Sequence, residues 1–149
     1  MEAEFYEVDL KWKQDRIGEI SSPILSSTIE VATPPQFEKG VEGIWSPEHL
    51  FTAAANSCFM TTFFAIAEKS RLEFETFSCK AKGKLEVVEK QFLMTEIDLY
   101  PTLTITSEEA KEKAIKVLEK SEKACLISNS IKSKVNLFPK IQIHNIAVK

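Results

Sequence analysis

Two cysteines are the residues best placed to do chemistry. Cys58 lies deep in the longest apolar run, after Trp45-Ser46-Pro47-Glu48-His49-Leu50-Phe51 and Ala53-Ala54-Ala55-Asn56-Ser57. Cys125 opens the segment Cys125-Leu126-Ile127-Ser128-Asn129-Ser130. A cysteine attacks as its thiolate, so a reactive one needs a donor, a cation or a helix N-terminus to lower its pKa. Cys125, at a predicted helix start, has the stronger individual claim to such help. Cys58, in mid-helix among Ala55, Phe59 and Met60, reads by itself as core filler. Cys79, on the predicted strand segment Phe77-Ser78-Cys79-Lys80, carries no partner signal.

Metal chemistry is not expected. The three cysteines stand 21 and 46 residues apart with no Cys-x-x-Cys, and neither His49 nor His144 pairs with one at helical spacing. An odd number of cysteines argues against a structural disulfide framework. The net charge is −3 and no run of five or more Lys and Arg occurs, so nucleic-acid binding is not expected. The N-terminus, Met1-Glu2-Ala3-Glu4-Phe5-Tyr6, lacks the basic flank and apolar stretch of a signal peptide. A cytoplasmic location follows, where thiols are kept reduced.

The elements that must position these thiols are legible as patterns. At 149 residues the chain has the size of one domain, 1–149. Residues 4–14 alternate, with Tyr6, Val8, Leu10 and Trp12 in register, which predicts a half-buried strand. Shorter strands are predicted at 16–20 and 28–32, closing an N-terminal antiparallel sheet. Residues 33–44 hold Pro34, Pro35, Gly40 and Gly43 and predict a long loop.

A helix then starts on strong signals: Ser46 as N-cap, Pro47 at the first helical position, and Glu48 in the first turn. Leu50 to Ala67 gives 18 residues without a formal charge, nominally the length of a membrane span. Asn56, Ser57 and the threonines within it would be costly in lipid, so a buried core helix is expected and no membrane association. Two β-prone runs, 74–88 and 92–106, predict a hairpin. A second helix follows from Ser107 to about Lys123 on the Ala110, Ala114, Val117, Leu118 spacing, with a fresh helical turn at Cys125. A last strand is predicted over Val135–Val148, interrupted by Pro139. This order of elements indicates an α+β fold with mainly antiparallel sheets.

Taken singly, Glu48 is a first-turn acid that stabilises any helix, and Arg16, beside Gly18, is an ordinary surface charge. Their combination with the cysteines resembles the OsmC/Ohr family, the osmotically inducible and organic-hydroperoxide-resistance proteins. The segment from Trp45 through Ala55 to Ser57-Cys58-Phe59 is similar to the family's Pro-Glu-x-Leu…Ala-Ala…Cys-Phe signature. Cys125-Leu126-Ile127-Ser128-Asn129 is similar to its second cysteine box. Two departures are Ser46, where Asn is more usual, and Leu126, where Pro commonly follows the cysteine.

The resemblance implies an intertwined homodimer, its sheets wrapped around long central helices. It also implies thiol-dependent reduction of organic hydroperoxides without a bound cofactor. Cys58 would be the peroxidatic cysteine and Cys125 the resolving one. Glu48 would belong to an Arg–Glu pair, with Arg16 as the arginine because Asp15-Arg16-Ile17-Gly18 is similar to the family's Arg-x-Gly turn. The reductant would be an external dithiol, for which the family suggests a lipoylated protein. A different class remains open on the residues alone: a non-catalytic protein of the same fold that holds a small hydrophobe.

Overall fold

The computed structural model describes residues 1–145, which form an α+β chain with antiparallel-rich sheets. The chain divides into two compact units, Met1–Leu50 and Phe51–Lys149.

In the first unit, β1 (Asp9–Gln14), β2 (Ile17–Ser22) and β3 (Leu25–Ala32) form an antiparallel sheet in chain order. Asp15, at φ 46°, makes the tight β1–β2 turn in which Arg16 follows it. β1 starts at Asp9 rather than at residue 4, and it is bare instead of half-buried, with Leu10 69% and Trp12 73% exposed. The alternation is written for a cover, and a sheet one layer thick has none of its own. The loop after β3 folds back on itself through Phe37 N–H to Pro34 O (3.1 Å) and Val41 N–H to Thr33 O (2.9 Å). Gly40 permits this, because a Cβ there would lie 2.0 Å from the Pro34 oxygen. Ser46 then caps the next helix, its Oγ accepting the His49 N–H at 3.1 Å.

Helix α1 runs without interruption from Pro47 to Lys69. It ends with Arg71 in the left-handed region (φ 54°) and Leu72 N–H bonded back to Ala67 O at 2.9 Å, which satisfies a terminal carbonyl. By length and composition α1 is apolar enough to cross a membrane. Its i, i+4 stripe of Ala55, Phe59, Phe63 and Ala67 is instead buried in the core of the second unit. The other faces are not covered within the chain, and Phe64 is 41% exposed.

The stripe packs among residues of the hairpin β4 (Thr76–Val88) and β5 (Gln91–Ile105). Glu89 and Lys90, at φ 48° and 67°, form a two-residue turn whose twist suits the paired strands. Phe63 stacks on Phe77 at 4.9 Å between ring centroids and meets Phe74 at 5.2 Å. Gly83 lets α1 lie close to β4, since a Cβ there would come within 2.1 Å of Thr52 Oγ1. Alternate residues of β5, Ile97, Leu99, Leu103 and Ile105, complete this core with Ala114, Val117 and Leu118 of α2 (Lys111–Ala124).

A short 3-10 turn, Glu108–Ala110, precedes α2, so the α-helix begins later than residue 107. After it come α3 (Leu126–Ser130), β6 (Lys134–Leu137) and β7 (Lys140–Ile143). Pro139, which cannot donate to a ladder, separates the last two strands. Both pair with β5 in parallel, not antiparallel. The physical reason is the helical crossover: after α2 and α3 the chain re-enters the sheet in the direction of β5. The end of the strand predicted to Val148 lies outside the described residues.

Candidate active site

Cys58 and Cys125 come together although 67 residues separate them. Cys58 is placed by α1, one residue before the buried Phe59, so its side chain lies at the margin of the packed stripe and stays partly exposed. Cys125 is the N-cap residue of α3 and is fully buried. Both are free thiols.

Burial works against the charged form of Cys58, but a set of donors outweighs it. The backbone N–H of Ile127, the Cys125 thiol, the Thr62 hydroxyl and the Leu126 N–H all act on its sulfur, and together they hold its pKa below the usual thiol value. Thr62 Oγ1 lies 3.9 Å from the sulfur, one helical turn along α1. The two N–H groups belong to the first residues of α3, where no helical carbonyl is available to accept them.

Cys125 is shifted the other way. Its burial pushes the thiol pKa up, opposed by the side chain and N–H of Ser128. The neighbouring Cys58 thiolate raises it further, because a donor to that thiolate resists losing its proton. The Cys125 Sγ has the Ala55 carbonyl as acceptor at 4.0 Å. The helix start was expected to activate Cys125 itself. Its first N–H groups are turned on Cys58 instead, because the Cys125 side chain points inward and makes no cap hydrogen bond.

The third thiol is set apart chemically. Cys79 sits half-buried on β4, and desolvation pushes its pKa up to about 11. Its carbonyl accepts Asn56 Nδ2 at 3.0 Å, tying α1 to the sheet beside the Cys58 position. Among the described residues, no three His, Cys, Asp or Glu side chains converge to hold a metal ion.

Arg16 and Glu48 are described within the first unit. Arg16 is exposed and lines a hollow of about 350 Å³ with Leu10, Trp12, Ala32 and Pro47. Glu48 lies in the first turn of α1. Because α1 is unbroken, Glu48 and Cys58 stand about 15 Å apart along its axis, at about 1.5 Å per residue.

The model of the OsmC-like protein family matches residues 40–138, which span α1, both cysteine segments and most of the second sheet. The chain belongs to the OsmC-like family. A curated relative, the uncharacterised protein YmaD of Bacillus subtilis, is 28% identical over 131 residues, 85% of each chain.

Among solved structures, an OsmC-like protein of unknown function from Vibrio cholerae superposes with a TM-score of 0.81. It is 23% identical, with 92% of this chain and 99% of that chain covered. The organic hydroperoxide resistance protein of Elizabethkingia anophelis gives 0.73 at 20% identity, with 95% and 99% covered. OhrB of Bacillus subtilis, also an organic hydroperoxide resistance protein, gives 0.69 at 18%, with 93% and 98% covered. At these identities the likeness is one of fold, the OsmC-like α+β fold.

Sequence reasoning missed the Thr62, Leu126, Ile127 and Ser128 donors. Thr62 had a usable signal, its i+4 spacing from Cys58. The α3 donors had none, because their partner is 67 or more residues away in sequence.

Proposed function

We propose that this OsmC-like protein is a thiol-dependent peroxidase that reduces organic hydroperoxides to alcohols. The observation that carries this reading is the opposed shift of two adjoining thiols. Cys58 is held toward the thiolate, and Cys125 is kept protonated beside it. A nucleophile and a resolving thiol need those two states at neutral pH.

In this mechanism the Cys58 thiolate attacks the terminal peroxide oxygen and the O–O bond breaks. The alkoxide takes a proton and leaves as alcohol, and Cys58 becomes a sulfenic acid. Cys125 then attacks that sulfur, water leaves, and an internal disulfide stops further oxidation. An external dithiol, such as a lipoylated protein, restores both thiols and keeps no cofactor in the protein. The setting we propose is the cytoplasm, where thiols are kept reduced.

Arg16 is assigned to stabilise the thiolate and the departing oxygen, and Glu48 to orient the guanidinium. The spacing along α1 supports their coming from a second copy of the chain. So does the exposed apolar surface on β1 and α1, which a homodimer would cover.

The experiment is an intact-mass measurement with an organic hydroperoxide at near-stoichiometric amount. Oxidation should remove about two hydrogens, the signature of one internal disulfide. Cys58→Ser should abolish peroxide consumption, Cys125→Ser should allow one turnover and then over-oxidise at Cys58, and Cys79→Ser should be nearly neutral. Thiols left unchanged by the hydroperoxide would overturn the peroxidase reading and favour a binding protein.

A further inference from the structure

Ser128 Oγ is buried and makes no hydrogen bond. A polar atom buried without a partner costs free energy, on the order of 1–3 kcal/mol, so its retention calls for a reason. Ser128 faces the Cys125 sulfur with both its hydroxyl and its N–H. In the reduced protein that sulfur does not need them. Its own proton is directed at Ala55 O, or at Cys58 when Cys58 is ionised. The Ser128 donors are therefore unspent until Cys125 itself carries negative charge.

Such a charge arises in one step of the cycle. With Cys125 fully buried and Cys58 partly exposed, a thiolate arriving from solvent meets the Cys58 end of a Cys58–Cys125 disulfide. Attack there forms a bond between the reductant sulfur and Cys58. The disulfide bond breaks with its electron pair on Cys125, which leaves as a buried thiolate and then takes a proton. The second thiol of the reductant closes its own disulfide and releases Cys58 as thiolate. Access thus forces the poorer leaving group to leave first, since a thiol whose anion is disfavoured leaves slowly.

We propose that Ser128 is the donor to the departing Cys125 thiolate, and that it sets the rate at which an external dithiol reduces the disulfide. This deepens the peroxidase reading and rests on it for its biological setting, but its test does not need peroxide. The Cys58–Cys125 disulfide is made with diamide in a Cys79→Ser background and verified by mass. Its reduction by dithiothreitol and by dihydrolipoamide is then followed in stopped flow.

Losing a hydrogen bond to a charged group predicts that Ser128→Ala slows reduction about 10- to 100-fold. Diamide-driven disulfide formation should change far less. Ser128→Thr should restore most of the reduction rate. In a Cys58→Ser/Cys79→Ser background, thiolate ultraviolet absorbance should titrate at higher pH when Ser128 is replaced by Ala. A mere packing defect would not produce that shift or the rescue by Thr.

With a monothiol, the trapped adduct should map to Cys58. An adduct on Cys125, an unchanged reduction rate in Ser128→Ala, or no Cys58–Cys125 disulfide with diamide would each overturn the proposal. A disulfide that forms with diamide but not with hydroperoxide would overturn the peroxidase reading alone.

Discussion

Mixing two inactive chains tests whether the site is shared between subunits. Glu48 and Cys58 lie on one continuous helix, Pro47–Lys69, ten residues apart. At about 1.5 Å and 100° per residue they are separated by about 15 Å along the axis and about 80° around it. Charges that far apart at a protein surface are largely screened at physiological salt, where the Debye length is about 8 Å. Glu48 of one chain therefore cannot organise a cation at its own Cys58. If it serves the thiol at all, it serves the thiol of a second copy.

Glu48→Ala and Cys58→Ser homodimers should each be inactive or nearly so. After subunit exchange at equal concentration, half of the dimers are mixed. Each mixed dimer has one site with both native residues, so about a quarter of wild-type hydroperoxide consumption should return in a symmetric two-site dimer. Peroxide loss is followed with a dithiol reductant, and exchange is verified by native mass. No recovery after verified exchange, or full activity in a stable monomer, would refute the shared-site reasoning.

The thiol environments predict an order of alkylation with pH. Cys58 should label first, with a midpoint below the usual thiol value, because the donors that favour its thiolate outweigh desolvation. Cys79 should stay unlabelled until strongly alkaline pH, as its pKa of about 11 requires; peptide mass mapping across a pH series reads both. Arg16→Ala should raise the Cys58 midpoint and lower the peroxidase rate, since loss of a nearby cation disfavours the thiolate. An unmoved midpoint would transfer the role to another residue. Phe63→Ala removes a fully buried ring stacked on Phe77, and urea unfolding should show a loss of about 3–5 kcal/mol. A loss under about 1 kcal/mol would mean the stripe is not the anchor of α1.

Local chemistry was enough to write most of the elements. Ser46, Pro47 and Glu48 announced α1 because capping and first-turn charge act within a few residues. The alternation of β5 announced its buried face for the same kind of reason, since neighbouring side chains on a strand point to opposite sides. The two cysteine segments were also visible, as motifs that resemble a family.

Tertiary structure alone decided which thiol is activated. The start of α3 is local to Cys125, so position in the chain favoured that residue. The fold instead turned the N–H groups of Leu126 and Ile127 onto a sulfur 68 and 69 residues earlier. The parallel pairing of β6 and β7 is likewise set by a crossover that periodicity does not encode. Periodicity and caps report what a residue does with its near neighbours. A pKa depends on whatever donors the folded chain brings within a few ångströms, and for Cys58 several of those come from the far end of the sequence.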